Sequence, residues 1–168
     1  GGQTLTINTT GAAAFEAAVG ATTALTSLTT NAGGTASVVN VTTTGAQLYG
    51  EDTRLNGAYV TTNSAFTVVG TTTLGGNTTI TTGAGAGDIT FAAITDGAGT
   101  FNLGLTAGGG AIAVSQTTAV NDLTLTSGAS AAFTGNVTVN DFITTGFGAG
   151  TVTLNGLANT FAAAVDFE

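Results

Sequence analysis

Val120-Asn121-Asp122-Leu123-Thr124-Leu125 opens a stretch that closes, nineteen residues after its start, with Val139-Asn140-Asp141-Phe142. Phe133 and Val137 lie between the two ends, four residues apart. The same skeleton recurs at both ends of the chain. Leu5-Thr6-Ile7 is followed by Phe15 and Val19, and Val152-Thr153-Leu154 by Phe161 and Val165. The aliphatic-to-Phe interval is ten, ten and nine residues, and Phe-to-Val is four each time. Phe91 and Ile94 after Ile89 give a looser copy. A period near 20 residues is the size of one solenoid coil.

Around these repeats the chain reads as strand almost throughout. Thr4-Leu5-Thr6-Ile7, Ser37 to Val41, Ala65 to Val69, Thr78 to Thr81, Asp88 to Phe91, Thr100 to Leu105, Ala111 to Val114, Leu123 to Thr126, Asn136 to Val139 and Thr151 to Leu154 alternate apolar and polar residues. Period two puts aliphatic side chains on one face and Thr or Asn on the other. Glycine clusters, among them Gly75-Gly76-Asn77, Gly83 to Gly87, Gly108 to Gly110 and Gly146 to Gly150, supply turns. Ala-rich Gly11 to Val19 also has helix propensity, against the β setting of its repeat copies.

The expected fold is all-β, a right-handed parallel β-helix of about 20-residue coils. Eight such coils make a rod roughly 40 Å long at about 4.8 Å per coil. The 168 residues form a single repetitive domain or a segment of a longer repeat array. An antiparallel β-sandwich with an exposed edge strand is the alternative, because Gly-Asn turns also suit hairpins. The absence of Pro favours the solenoid, in which interior N–H groups bond to the next coil. Phe15, Phe91, Phe133 and Phe161, repeating in sequence, are expected to form an internal aromatic stack.

What the chain omits bounds its chemistry. It has no Pro, Cys, Met, Trp, His or Lys, one arginine (Arg54), 27 Gly, and a net charge of −8. One cation against nine acids excludes the counterion-releasing contacts that nucleic-acid binding requires. The same balance opposes docking on anionic lipid. No apolar run approaches the roughly 18 residues of a membrane helix, so no direct membrane insertion is expected. Disorder is disfavoured by a mean hydropathy of +0.42 and only 6% charged residues. The acids are scattered and read as solubilising charges on loops. Gly1-Gly2 and Phe167-Glu168 make the chain look cut from something longer.

Without His or Cys, a Ser/His/Asp or Cys/His catalytic arrangement is impossible, and the expectation is a non-enzyme with no catalytic residues. The one adjacent acidic pair, Glu51-Asp52, lies beside Arg54, with Tyr49 and Tyr59 flanking this charge-dense loop. These five residues are the candidate partner contact, for a host or matrix glycan or protein. The blander reading is a polar loop with an internal ion pair and two core tyrosines. No cofactor is expected apart from calcium, for which the candidates are two. Gly85-Ala86-Gly87-Asp88 loosely resembles the calcium-binding β-roll repeat, and Asp122 and Asp141 fall at matching coil positions. Exposed turn aspartates are the simpler reading of both. Thr-rich strands raise ice binding, yet Thr42-Thr43-Thr44 and Thr71-Thr72-Thr73 put threonine on both faces. A polysaccharide-active β-helix using acids from different coils is a further lower-ranked reading.

Leu25 to Thr35, followed by Val41-Thr42-Thr43-Thr44-Gly45-Ala46-Gln47-Leu48-Tyr49, resembles the Gly/Thr/Ala-rich repeats of large bacterial filamentous-haemagglutinin-type adhesins. Ile89-Thr90-Phe91 and Thr151 to Val165 are similar in style, so the likeness covers most of the chain. It implies a parallel β-helix on a secreted protein displayed at a Gram-negative cell surface. The expected function is a structural repeat segment of an extracellular adhesin or filament, acting in attachment or biofilm matrix. Its expected partners are neighbouring repeats or other copies of itself. A pilus-like subunit that polymerises through strand pairing is the alternative.

Overall fold

The structure is a computed structural model that describes residues 2–97, 100–147 and 150–168. Gly148 and Ala149, within the expected 146–150 turn, lie outside the described residues. Among the described residues there is no helix, and every strand ladder is parallel. The chain is a β-solenoid of about 8 turns, and equivalent positions lie roughly 21 residues apart. The sandwich alternative fails because a sandwich is built from antiparallel pairs. The Ala-rich segment is strand Ala12–Phe15, paired with Thr35 to Val38. As a strand the segment turns Ala13 and Phe15 inward, partly buried against the core, and pairs with the next coil, which overrides alanine's helix preference.

Each turn crosses three faces. On the first face the inward positions stack as Leu5, Leu28, Gln47, Phe66, Ile89, Ile112, Ala131 and Val152. On the second they stack as Ala13, Ala36, Thr53, Thr72, Ile94, Thr118 and Val137. On the third they run Val41, Tyr59, Ile80, Leu105, Leu125, Thr144 and Phe167. A single coil exposes its apolar edge above and below, and stacking covers it. The interior column from Leu28 to Phe142 is accordingly buried end to end. The stacking distance along the chain varies, from 17 residues between Val38 and Leu55 to 25 between Thr78 and Leu103. The corners absorb the difference, which explains why the repeat is imperfect in sequence.

The aromatic residues do not form one stack. Tyr49 and Tyr59 pack on Phe66 with ring centroids 5.5 and 5.6 Å away, and Phe66 packs on Phe91 at 5.7 Å. Farther along, Phe142 gathers Phe133 at 6.2 Å, Phe161 at 5.8 Å and Phe167 at 5.7 Å. The matched repeats lie on different faces, which separates the phenylalanines. Phe15 and Phe161 belong to the second face, whereas Phe91 and Phe133 belong to the first. The copy Leu123–Phe133–Val137 is displaced by one face from Leu5–Phe15–Val19.

Candidate functional site

The five residues singled out by the sequence divide between inside and outside. Tyr49 and Tyr59 are fully buried, so neither offers a surface to a partner, and the blander core reading of both is correct. Their hydroxyls are used internally. Tyr49 Oη donates to Gln47 Oε1 at 3.1 Å, while Gln47 Nε2 donates to the Val60 and Val41 carbonyls at 3.0 and 3.2 Å. Tyr59 Oη donates to the Val38 carbonyl at 2.6 Å and accepts from Asn56 N at 2.9 Å. Burial pushes the Tyr49 phenol well above its ordinary range, reinforced by Tyr59. Burial likewise raises Tyr59, against smaller downward effects of the Asn56 backbone and the Arg54 charge.

Glu51 and Asp52, adjacent in sequence, face opposite ways. Glu51 is buried and its Oε2 has no hydrogen-bond partner, as is true of Thr30 Oγ1, Thr72 Oγ1 and Thr118 Oγ1. Asp52 and Arg54 open strand Asp52–Val60 and are both exposed on the outer surface of the second face. An extended strand turns alternate side chains outward, so the two share a face and Glu51 does not join them. There is therefore no paired-carboxylate site here. Asp52 Oδ1 accepts Thr71 N of the next coil at 2.7 Å. Arg54 Nη2 donates to the Gly75 carbonyl at 3.2 Å, and the guanidinium lies where a Cβ on Gly75 would stand. Only glycine admits this close approach.

Below this pair the outer face drops to small side chains. Arg54 stands over Ser37, which stands over Ala14, and Asp52 stands over Thr35, which stands over Ala12. The step forms an open groove of about 510 Å³ lined also by Thr71 and Thr73. A smaller groove of about 320 Å³ on the third face arises where Gly104 interrupts the outward row between Thr79 and Thr124.

The aspartates expected to be loose solubilising charges are tied into the ladder instead. Asp88 Oδ1 accepts Ala111 N at 2.8 Å, and Asp141 Oδ1 accepts Ala164 N at 2.7 Å, each one coil on. Asp122 and Asp141 do stack as neighbours, and Asp122 Oδ1 receives Asn140 Nδ2 at 3.2 Å and Asp141 N at 3.3 Å. Asparagines act likewise: Asn40 Oδ1 accepts Ala58 N at 2.7 Å, and Asn77 Oδ1 accepts Asn102 N at 3.0 Å. A short side-chain acceptor at a corner continues the backbone ladder where the strand geometry breaks. The Asn-Asp echo in the sequence is the signal of this corner device. Among the described residues, no three acidic side chains gather as a metal-binding group.

No protein-family model matches the chain, and neither the curated proteins nor the solved structures hold a match to it.

Proposed function

We propose that the chain is a structural repeat segment of a secreted, cell-surface adhesin or extracellular filament, acting in attachment or matrix formation without catalysis. The observation that carries this reading is the parallel ladder through about 8 turns, with the corner Asn and Asp side chains bonded from coil to coil. Such a ladder bears load along the rod axis through backbone hydrogen bonds in every coil. The lack of His, Cys and Lys accords with a non-catalytic role, and the disulfide-free interior needs no oxidant to form. The resemblance to filamentous-haemagglutinin-type repeats points to the same place, the bacterial surface. The test is antibody labelling of intact producing cells. Surface labelling supports the reading; labelling only after permeabilisation overturns it.

One observation favours a second reading, self-assembly through strand pairing. Leu5, Phe15 and Val19 in the first coil and Val152, Phe161 and Val165 in the last occupy the same three faces in the same order. Val165 and Phe167 remain 43% and 60% exposed, so a further coil of this pattern would cover them in phase. Sizing and electron microscopy of the chain decide between the two. Ordered fibres support polymerisation, and monomers at high concentration remove it.

A further inference from the structure

We infer that the groove on the second face, beneath Asp52 and Arg54, binds a carboxylate-bearing sugar, a hexuronic acid unit of an acidic polysaccharide. Arg54 is the chain's one basic side chain, exposed and docked by a single hydrogen bond. It lies across Gly75, where no Cβ interferes, and donates one N–H to the Gly75 carbonyl. A guanidinium has five N–H donors in a planar fork that fits a carboxylate bidentately. One edge is spent on Gly75, which leaves donors for a ligand. The guanidinium thus offers one pairing point on an otherwise acidic surface, enough for a single carboxylate and not for the rows of phosphates or anionic headgroups that the charge balance opposes.

The rest of the groove selects hydroxyl groups. Thr35, Ser37, Thr71 and Thr73 line it, and each supplies a donor and an acceptor. Asp52 stands two residues from Arg54 on the same side of the strand, about 7 Å away by strand rise; its Oδ1 is taken by Thr71 N, which leaves Oδ2 to accept from sugar hydroxyls. Ala12 and Ala14 keep the floor low and apolar, fit for the C–H face of a pyranose. A volume of about 510 Å³ lies within the usual range of small-ligand pockets. The groove runs across successive coils, so a sugar chain can lie along the rod axis. An acidic peptide meets the arginine and the hydroxyls too, but has no pyranose C–H face to seat on Ala12 and Ala14. The proposal goes beyond the structural role and is tested apart from it, since titration reads the groove and cell labelling reads the location.

The experiment is calorimetric titration of the folded chain at about 150 mM salt with three probes: a tri-uronide of linked hexuronic acids, the matching neutral trisaccharide, and a triglutamate peptide. The tri-uronide is expected to bind, and the other two to bind at least about tenfold more weakly. Arg54→Gln should weaken the tri-uronide by about tenfold or more, and Ser37→Phe, which fills the step below the guanidinium, should abolish binding. An unchanged melting midpoint in each variant verifies that the rod is intact. Three results overturn the proposal: no tri-uronide binding by the parent chain, equal binding by Arg54→Gln, or triglutamate binding as tightly as the tri-uronide.

Discussion

Two regions of this solenoid solve the same packing problem differently. In the coils holding Gln47 to Thr82 the interior is mixed: Gln47, Glu51, Thr53, Thr61, Thr72 and Thr78 are buried beside Tyr49, Tyr59 and Phe66. In the coils holding Leu123 to Phe142 it is almost wholly hydrocarbon, with Leu123, Leu125, Phe133, Val137, Val139 and Phe142 buried. The backbone ladder is the same in both. The fold thus accepts either filling, at a cost wherever a buried polar group lacks a partner. Gln47 is partnered, whereas Glu51 Oε2 and Thr72 Oγ1 are not. The mixed region is also the one that carries the outward Asp52–Arg54 pair.

The largest effect is expected in the hydrocarbon region. Phe142→Ala should cost about 3–5 kcal/mol in denaturant unfolding. The ring is fully buried and joins Phe133, Phe161 and Phe167, so its loss leaves a cavity that three aromatic neighbours must share. Amide exchange should rise first in strands Ser130–Phe133 and Asp141–Thr144 and stay slow near Tyr49. Uniform loss of protection would show that the two regions are one cooperative unit.

In the mixed region the expected cost is smaller and coupled. Gln47→Leu should cost about 2 kcal/mol, because the Tyr49 hydroxyl and the Val41 and Val60 carbonyls lose a buried partner. Tyr49→Phe strands Gln47 Oε1 in turn, so the double variant should cost less than the sum of the singles. Strict additivity would mean that the network contributes nothing as a unit. Glu51→Gln should act in the opposite direction, raising stability by about 1 kcal/mol, since a neutral amide is cheaper to bury than a carboxylate with an unpartnered oxygen. A lower midpoint for that variant would show that the carboxylate has a favourable partner.

The smallest effect comes from pH. Both buried tyrosines have their folded-state ionisation raised above the ordinary value of 10.0. The folded state then holds protons that the unfolded chain releases, so stability is fully present below about pH 10 and falls as pH rises past it. At pH 10 the two together should cost about 0.8 kcal/mol. Thermal melts between neutral pH and pH 10.5 should show this decline. In Tyr49→Phe/Tyr59→Phe it should vanish, whereas an equal decline in that variant would assign it elsewhere.

Much of the fold was legible in the sequence, because strand alternation and solenoid period are local properties. Asp122 and Asp141 stack as their matching positions indicated, and Leu5, Leu123 and Val152 do open inward-facing strands. The face each repeat copy occupies was not legible. All three faces use the same apolar-Thr alternation, so the Leu–Phe–Val skeleton fits any of them, and Phe133 lies one face away from Phe15. The candidate site was half legible. Charge density marked Asp52 and Arg54, but the same loop suggested exposed tyrosines that are in fact core. The groove had no sequence signal, since its floor comes from Ala12, Ala14, Thr35 and Ser37 in two earlier coils.

By itself the sequence determined that this chain is all-β and repetitive, because a period-two pattern recurring near every 20 residues without proline suits stacked coils; the parallel ladders came from the structure. Only the tertiary structure decided which residues meet across coils. That depends on how many residues each corner takes up, from 17 to 25 between stacked positions, and corner length together with the inward-facing alternation sets register. Register placed Arg54 over Ser37 and Asp52 over Thr35, and so made the surface groove, whereas Tyr49 meets Gln47 within one strand.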